Sequence, residues 1–485
     1  MLRKIRIFFA TLFFLGITLL FLDVTGLLHR YLGWMAHVQL LPAILALHLG
    51  IVVVLLLITW IFGRVYCSVI CPLGVLQDCF SRLGGFFFKK RFRYTKAHNV
   101  LRYIVLTVFV LLLVLGLNGV ALLVAPYSMF GRIATVLFRP VYEWGNNLLA
   151  MWTASGDSHL FYITEVSSLG VMAWMVAGIS LGVLAFLSFR YGRLWCNTIC
   201  PVGSLLSLLS HYSLFKVVMD ADKCKGCHRC EHKCKSMCID VSSHQIDHSR
   251  CVGCMDCLGK CNFDAIHYRF TGMSGRNRAD QSGLGAADAP HNSSRRRFLA
   301  TTAAVGAATV LRAQEQKLDG GLAVIEDKQV PERNMQLKPA GSIGLKHFKQ
   351  HCTGCQLCVS QCPEKVLRPS SNLDTFMQPY MAFDQGYCRL ACTRCGELCP
   401  TDAIQSIGKE QKTAISIGHA VVIQDNCIGC GACARHCPSS AIMMVDGMPA
   451  VNESRCLGCG ACEYYCPARP MTAIYVEGRE RHLEI

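Results

Sequence analysis

The sequence lacks the short motifs of several common enzyme classes. It contains no Walker loop, no dinucleotide-binding fingerprint and no Ser/His/Asp arrangement. It is also poor in charge, since 16% of its residues are charged and 52% are hydrophobic. The missing motifs argue against chemistry on a bulky substrate, and the composition indicates that part of the chain is embedded in a membrane.

Acidic residues are scarce as well. The chain has 32 Asp and Glu against 48 Lys and Arg, which gives a formal net charge of +16. Such a balance can indicate nucleic-acid binding, but much of the basic charge flanks apolar segments, where it sets membrane orientation. We therefore expect no nucleic-acid partner, whereas contact with anionic lipid or an acidic redox partner stays open.

Cysteine, in contrast, is abundant. The 485 residues include 30 cysteines, and 24 of them fall into six compact groups of four. In a small secreted chain many cysteines would indicate disulfides, but this grouping is typical of iron–sulfur cofactors. The sequence therefore predicts six cluster sites, distributed over about three domains.

Residues 1–212 are predicted to form a membrane domain of four helices. Its four apolar segments are residues 7–22, 40–62, 100–124 and 168–189. The last three reach the ~20 residues that a spanning helix needs, and arginines flank the shorter first one. Basic residues cluster at the N-terminus and between the second and third segments, so both regions are expected in the cytoplasm, with a loop at 125–167 facing outward.

An internal repeat lies inside this domain. Residues 63–74, GRVYCSVICPLG, match residues 192–203, GRLWCNTICPVG. Each copy holds a Cys-x3-Cys pair, whose sulfurs would share one face of a helix. Two such pairs would supply the four thiolates of one further Fe–S cluster, and cysteines with a packing or redox-active role are the alternative. The four candidate ligands are Cys67, Cys71, Cys196 and Cys200.

Three polar residues are weak candidates for a quinol site. His48 lies in the middle of an apolar segment, where ionisable residues are commonly functional, although a histidine satisfied by neighbouring helices is nearly as plausible. Glu143 and His159 are expected near the outer face, together with Asp23 and Glu165. Any of them could take protons from a quinol, and nothing in the sequence chooses among them.

Residues 213–270 carry two four-cysteine motifs and are predicted to form a cytoplasmic ferredoxin-like module. In bacterial two-cluster ferredoxins, the fourth cysteine of each motif binds the other cluster. The usual proline after this cysteine is replaced by Lys235 and Asn262, and Cys238 is an alternative ligand to Cys234. The predicted [4Fe–4S] ligand sets are Cys224, Cys227, Cys230 and Cys261, and Cys251, Cys254, Cys257 and Cys234.

A linker at 271–293 precedes a stretch, 294–313, that resembles a twin-arginine export signal. The stretch begins SRRRFLA and continues as a short apolar run. We expect Arg295 and Arg296 to direct the following domain outward through the twin-arginine export machinery. No clean cleavage site follows, so the run is also a candidate fifth membrane helix. A basic linker followed by an alanine-rich helix is the alternative.

Residues 314–485 hold the other four cysteine groups and predict an exported domain with four [4Fe–4S] clusters. The last two groups are expected to pair as a ferredoxin, whereas the first is left open between the second and the fourth. Cys388 is the least certain ligand, because three residues separate it from Cys392. The candidate ligands are Cys352, Cys355, Cys358, Cys362, Cys388, Cys392, Cys395, Cys399, Cys427, Cys430, Cys433, Cys437, Cys456, Cys459, Cys462 and Cys466.

Nearly the whole chain resembles two known families joined end to end. Residues 1–270, with both Cys-x3-Cys-Pro motifs and the first two cysteine groups, are similar to the NapH family, the membrane ferredoxin subunit of periplasmic nitrate-reductase systems. Residues 291–485, with the arginine pair and four cysteine groups, are similar to the exported NapG family. The fusion of the two departs from the family pattern and leaves cleavage of the signal in doubt.

The resemblance implies a membrane α-helical protein with two α+β ferredoxin-like domains, in the bacterial inner membrane. It implies a quinol dehydrogenase that draws on the quinone pool and supplies a periplasmic multihaem cytochrome and a terminal reductase. Related ferredoxin-type proteins serve in methylamine utilisation, which is one alternative. A redox role in maturing or regulating a periplasmic metalloenzyme is another.

Overall fold

The computed structural model describes residues 2–23, 26–88, 92–153, 163–164, 169–272 and 328–485. The predicted export stretch, with Arg295 and Arg296, lies outside the described residues, as do the quinol-site candidate His159 and most of the predicted linker.

The N-terminal part of the chain is helical up to residue 210. Its α-helices range from single turns to 21 residues, and one π-helical turn interrupts them. The helices are Leu2–Leu22, Leu28–Leu32, Trp34–His37, Leu40–Leu45, Leu49–Phe62, Tyr66–Val69, Pro72–Phe88, Asn99–Val114, Asn118–Ala121, Pro126–Ile133, Arg139–Thr153, Val171–Tyr191, Leu194–Thr198 and Pro201–Ser210, with the π-helical turn at Ala134–Phe138.

Two helices in the described part of the chain are long and apolar enough to cross a membrane. They are Leu2–Leu22 and Val171–Tyr191, each of 21 residues, and they coincide with the first and fourth predicted segments. Large apolar side chains such as Phe8, Leu15 and Ile179 are exposed along them, as is expected of surfaces that contact lipid.

Spanning helices at 40–62 and 100–124 are not supported. The segment 40–62 is divided at Leu47, which has a φ of 56°. Its longest helix, Leu49–Phe62, therefore has only 14 residues and a length of about 21 Å. The segment 100–124 is divided at Gly116, which has a φ of 78°. A residue in the left-handed region cannot continue a right-handed helix, so these apolar runs form shorter helices.

The predicted outer loop at 125–167 is helical over its first part. Pro126–Ile133 starts with proline at the first helical position, where its missing N–H is not needed, and the helix continues through the π-helical turn into Arg139–Thr153. Its charges are paired internally, since Arg139 Nε donates to Glu143 Oε1 at 2.7 Å. This pairing lets a charged segment pack as a helix.

The first cysteine-rich module forms around two small antiparallel sheets. Strand Phe215–Met219 pairs with Ile266–Phe270, with Val217 opposite Tyr268. Strand Ile239–Asp240 pairs with Gln245–Ile246, and the short helices Arg229–Lys233 and Leu258–Lys260 carry cysteines or lie next to them. The outer strand pair joins the start of the module to its end, which brings the two cysteine motifs together.

The second cysteine-rich domain contains three two-stranded antiparallel sheets and short helices. The longest pair, Ile415–Val422 with Ile474–Glu484, ties the third cysteine group to the end of the chain. The other pairs are Leu367–Pro369 with Pro379–Met381 and Ile442–Val445 with Met448–Val451. The helices are Leu345–His351, Leu357–Ser360, Leu373–Thr375, Arg394–Glu397, Lys409–Thr413, Gln424–Asn426, Ala432–Arg435 and Ala461–Tyr465.

The N-terminal helix contacts one cysteine-rich unit at each end. Near its start, Arg3 Nε donates to Asp256 Oδ1 of the first module at 2.7 Å. At its C-terminal end, Gln361 Nε2 of the second domain donates to the carbonyl oxygens of Leu20, at 2.9 Å, and Asp23, at 2.8 Å. A helix of 21 residues is about 32 Å long, so the two units bind at opposite ends of a membrane-length helix.

Candidate iron–sulfur centres and quinol site

The first cysteine-rich module contains a cavity that four predicted ligands line. Its other walls include Met219, Phe263 and Ile266. Three cysteines follow the first strand, two of them in a loop and one in the helix Arg229–Lys233, and the fourth comes from the second motif, just before the last strand. The lining cysteines are Cys224, Cys227, Cys230 and Cys261, the set that the crossed ferredoxin pattern predicts.

A second cavity in this module lies at the other cysteine set. Its walls include Val217, Ile239 and Val252. Five cysteines line it rather than four, because Cys238 joins the predicted set. The lining cysteines are Cys234, Cys238, Cys251, Cys254 and Cys257.

In the last two cysteine groups of the second domain, the fourth cysteine of each group also lies with the first three cysteines of the other. Cys427, Cys430 and Cys433 line a cavity together with Cys466, the fourth cysteine of the last group. In the reciprocal set, Cys437 is close enough to the remaining cysteines of the last group for their charges to interact. These remaining cysteines are Cys456, Cys459 and Cys462.

The structure pairs the first group of this domain with the second, which the sequence left open. Cys399 interacts with the first three cysteines of the first group. In the reciprocal set, Cys362 interacts with Cys388 and Cys395 of the second group, and Cys392 interacts with both of these. The two sets are Cys352, Cys355, Cys358 and Cys399, and Cys388, Cys392, Cys395 and Cys362.

Lys412 contacts the least certain of these cysteines, and the sequence did not single it out. Its buried ammonium lies 3.2 Å from Cys388 Sγ and donates to the Arg389 carbonyl oxygen at 2.7 Å. A cation at this distance stabilises a thiolate, so Cys388 can serve as a ligand despite its wider spacing. No spacing rule marks this lysine, because it approaches from a separate short helix.

These cavities suit iron–sulfur clusters. Backbone amides point at the sulfurs: Ala265 donates to Cys261 Sγ at 3.2 Å, and Ala441 donates to Cys437 Sγ at 3.3 Å. Such N–H groups stabilise the negative charge of a cluster. Burial raises the pKa of Cys230 to about 11, so the free thiol keeps its proton and iron must displace it. Within the described ranges, no three ligating side chains converge on a single metal ion.

The Cys-x3-Cys pairs of the repeat meet in the membrane domain. Cys67, Cys71, Cys196 and Cys200 are all buried. The thiols of Cys196 and Cys200 form a hydrogen bond, and both cysteines of the first copy interact with Cys196. The repeat therefore brings four thiols to one place beside the first module.

The quinol-site candidates do not lie together. His48 is not mid-helix as predicted but precedes helix Leu49–Phe62, and its Nε2 lies 3.4 Å from Asp402 Oδ2 of the second domain. Glu143 is buried against Arg139, and His159 lies outside the described residues. His48 thus keeps a partner that suits proton transfer, whereas Glu143 is part of an internal ion pair.

Two more histidines, which sequence reasoning missed, contact His48 or the second domain: His37 lies beside His48, and His29 contacts Glu397. The rings of His37 and His48 have centroids 6.1 Å apart, and His29 Nε2 lies 3.7 Å from Glu397 Oε2. Leu47 beside this group is 74% exposed, which leaves an apolar approach from the side. The group brings together residues about 360 positions apart, so no local motif could have revealed it.

Three family models match the chain. One, described as a 4Fe-4S binding domain, matches residues 45–94 and 172–217, and each of these ranges contains one copy of the Cys-x3-Cys-Pro repeat. A 4Fe-4S dicluster domain matches residues 351–403 and 426–469, and a second dicluster domain matches residues 387–442. The chain therefore carries repeated ferredoxin-type iron–sulfur domains.

Curated relatives are similar at low identity. An uncharacterized protein of Methanocaldococcus jannaschii is 28% identical over 239 residues, which is 48% of this chain and 73% of that protein. The methylamine utilization ferredoxin-type protein MauM of Methylobacillus flagellatus is 27% identical over 126 residues, 24% of this chain and 53% of MauM. The ferredoxin-type protein NapH of Haemophilus influenzae is 28% identical over 196 residues, 40% of this chain and 55% of NapH. The chain thus spans about half the length of MauM and of NapH.

Proposed function

We propose that this chain is a membrane-bound quinol dehydrogenase that delivers electrons to a periplasmic acceptor. The observation that carries the proposal is the position of the two cysteine-rich units, which contact opposite ends of the helix Leu2–Leu22. A helix of this length spans the apolar core of a bilayer. The arrangement supports one unit in the cytoplasm and the other in the periplasm.

Six [4Fe–4S] sites belong to this proposal, with the crossed ligand sets given above. A [4Fe–4S] cluster accepts and releases one electron at a time. The protein's own part is to hold four thiolates around each cavity, to exclude water with apolar walls, and to direct backbone N–H groups at the sulfurs. The thin apolar cores of both units mean that cluster binding also supplies folding free energy.

The group around His48 is the proposed quinol site. Oxidation of a quinol to a quinone releases two electrons and two protons, so the site needs proton acceptors. His48 with Asp402, and His37 beside them, can take these protons. Burial lowers the pKa of His37 and outweighs the opposite effect of Asp402, so its imidazole is neutral and ready to accept. Exposed Leu47 offers an apolar approach for a lipid-soluble substrate.

The proposed acceptor is a multihaem cytochrome that supplies a periplasmic reductase. The likeness to NapH and the export signal at Arg295 and Arg296 support the nitrate-reductase system as the terminal partner. In this arrangement the protein lies in the bacterial inner membrane, and the second domain crosses already folded through the twin-arginine machinery.

The test is reduction of the purified protein by a soluble quinol without oxygen. We expect quinol to bleach the iron–sulfur absorbance of the wild type, and His48→Gln to slow this reaction by roughly 10²-fold, the usual contribution of a positioned proton acceptor. The matched control is His267→Asn on the first module, whose histidine lies 3.9 Å from Asp264. The control should react at the wild-type rate.

Dithionite separates the outcomes. It should reduce the wild type and both variants to the same extent, because it does not need the quinol site. Wild-type clusters that dithionite reduces but quinol does not would refute the proposed activity. Equal quinol rates in the wild type and in His48→Gln would refute the proposed site.

A further inference from the structure

The two copies of the membrane repeat are joined by a reciprocal exchange of arginines. Arg64, in the first copy, donates from Nη2 to the Cys196 carbonyl oxygen at 2.9 Å. Arg193, its counterpart in the second copy, donates from Nη1 to the Cys67 carbonyl oxygen at 2.7 Å. Both side chains are fully buried. Each copy therefore supports the cysteine-bearing turn of the other.

The glycines of the repeat are required by the same close packing. A Cβ at Gly74 would overlap the Cys67 carbonyl oxygen, and a Cβ at Gly203 would overlap the Cys196 carbonyl oxygen. The Gly203 amide also donates to Cys200 Sγ at 3.4 Å. Conformation and contacts thus repeat along with the sequence, which indicates a built site rather than incidental packing.

The buried positive charge of this site favours an anion beside it. Arg64 donates to Asn197 Oδ1 at 2.9 Å and to the Ser249 carbonyl oxygen at 3.0 Å, both of them neutral. Its Nη2 lies 3.9 Å from Cys67 Sγ. A buried guanidinium without a negative partner is costly. Thiolates bound to iron would supply the missing negative charge.

We propose that Cys67, Cys71, Cys196 and Cys200 form an iron–sulfur site that is additional to the six ferredoxin sites. Four thiolates are a complete ligand set for one cluster, and Arg64 and Arg193 offset their charge. The site lies where the membrane domain meets the first module, since the Arg193 amide donates to the Lys235 carbonyl oxygen at 2.9 Å. It would gain or lose one electron, with no bond to substrate formed or broken.

Iron and acid-labile sulfide per chain test this site. We expect Cys67→Ser and Cys200→Ser each to lose the iron of one cluster out of seven, while the spectra of the ferredoxin clusters persist. Cys79→Ser is the matched control, because Cys79 is an exposed cysteine on the neighbouring helix Pro72–Phe88. This control should retain all its iron. Folded site variants with wild-type iron content would overturn the proposal.

A second measurement covers variants that fail to fold. In the wild type purified without oxygen, the four cysteines should resist alkylation until a chelator removes iron. A disulfide between two of them, detected in the same protein by peptide mapping, would overturn the proposal in favour of a redox-active thiol pair. Neither measurement uses quinol, so failure here is distinct from failure of the proposed function.

A different observation concerns the fifth cysteine of the second cavity. In four other groups, the residue four positions after the fourth cysteine is small and apolar, and Ile or Leu follows it. These residues are Ala265, Val366, Ala403 and Ala441. The equivalent residue after Cys234 is Cys238, again followed by isoleucine, Ile239. The local fold is therefore shared, and Cys238 adds a thiol where the other sites have none.

The Cys238 thiol lies close to two of the predicted cluster ligands. Cys238 is 2% exposed, and its Sγ lies 3.5 Å from Cys234 Sγ. It also forms a side-chain hydrogen bond with Cys251. A thiol that is not itself bound to iron lies here within donor distance of a ligating sulfur, and an S–H group is a hydrogen-bond donor.

We propose that Cys238 is a positioning residue that raises the reduction potential of this cluster. A hydrogen bond to a ligating sulfur stabilises the extra negative charge of the reduced state. The proposal rests on the cluster assignment within the proposed function, but not on quinol oxidation. It makes Cys234, rather than Cys238, the fourth ligand.

Redox titration followed by electron paramagnetic resonance tests this role with a reciprocal pair of variants. Cys238→Ala should retain full iron content and shift one centre to lower potential. Ala265→Cys, which adds a thiol at the matched position of the sister site, should shift the other centre to higher potential. Loss of one cluster from Cys238→Ala would identify a ligand, and unchanged potentials would exclude the hydrogen bond. Either result would overturn the proposal.

Discussion

Replacement of both Arg295 and Arg296 by lysine is expected to leave the second cysteine-rich domain in the cytoplasm. Twin-arginine export recognises the arginine pair and carries folded domains. This domain should need that route, because clusters are inserted in the cytoplasm and a loaded domain cannot be threaded through a membrane unfolded. The expected effect is close to complete loss of export, with the charge of the stretch unchanged.

The measurement is protease accessibility of the C-terminal domain in intact spheroplasts, together with a topology reporter fused after residue 485. The wild type should be cleaved from outside and the double-lysine variant should be protected. Arg297→Lys is the matched control, since it changes an adjacent arginine outside the pair and should leave export intact. A wild-type domain that is protected from outside would place both cysteine-rich units in one compartment and refute the export hypothesis.

A domain stranded in this way would also lose its contacts with the far end of the membrane domain. Gln361 could no longer donate to the carbonyl oxygens of Leu20 and Asp23, and Asn118 Nδ2 could no longer donate to the Gln350 carbonyl oxygen at 2.6 Å. His48 would lose Asp402. The variant should therefore retain its iron and lose reduction by quinol, because the proposed quinol site combines residues from both parts.

Cysteine spacing predicted these cavities well, and there is a physical reason for this. Three cysteines with two residues between neighbours can each bind a different iron of one cluster from a single short segment, as at Cys224, Cys227 and Cys230. The fourth cysteine that joins each set of three was harder to predict, because it comes from another part of the chain and depends on which strands pair. The pairing of the first and second groups of the last domain could therefore not be read from spacing.

In the membrane domain, by contrast, the sequence patterns predicted less of the structure. Hydropathy identified apolar segments but not the left-handed residues, Leu47 and Gly116, that divide two of them. Nor did it identify the helix Arg139–Thr153, in which Arg139 and Glu143 form an ion pair inside the protein. Such pairs depend on tertiary contacts, which override local preference.

Asp78 is a further residue that only the structure reveals, and it connects the membrane domain to the first module. Its carboxylate accepts from Arg193 Nε at 2.8 Å and lies 3.1 Å from both Arg6 Nη1 and Lys235 Nζ. Burial alone would raise the pKa of Asp78, but these three cations outweigh it and hold the pKa well below its ordinary value. Its contribution to stability is therefore complete at neutral pH and is lost only in strong acid.

Asp78→Asn is expected to destabilise this junction by about 3–5 kcal/mol, because it leaves buried cations without their counter-charge. The measurement is thermal unfolding in detergent, followed by loss of the iron–sulfur absorbance. Asp384→Asn is the matched control: it removes a surface partner of Arg368 at 2.9 Å, with Asp384 56% exposed, and should cost at most about 1 kcal/mol. Since Arg193 also supports the Cys67 turn, the Asp78 variant should lose the proposed membrane cluster before the ferredoxin clusters. Equal melting of both variants would show that the charges at this junction are solvated rather than paired.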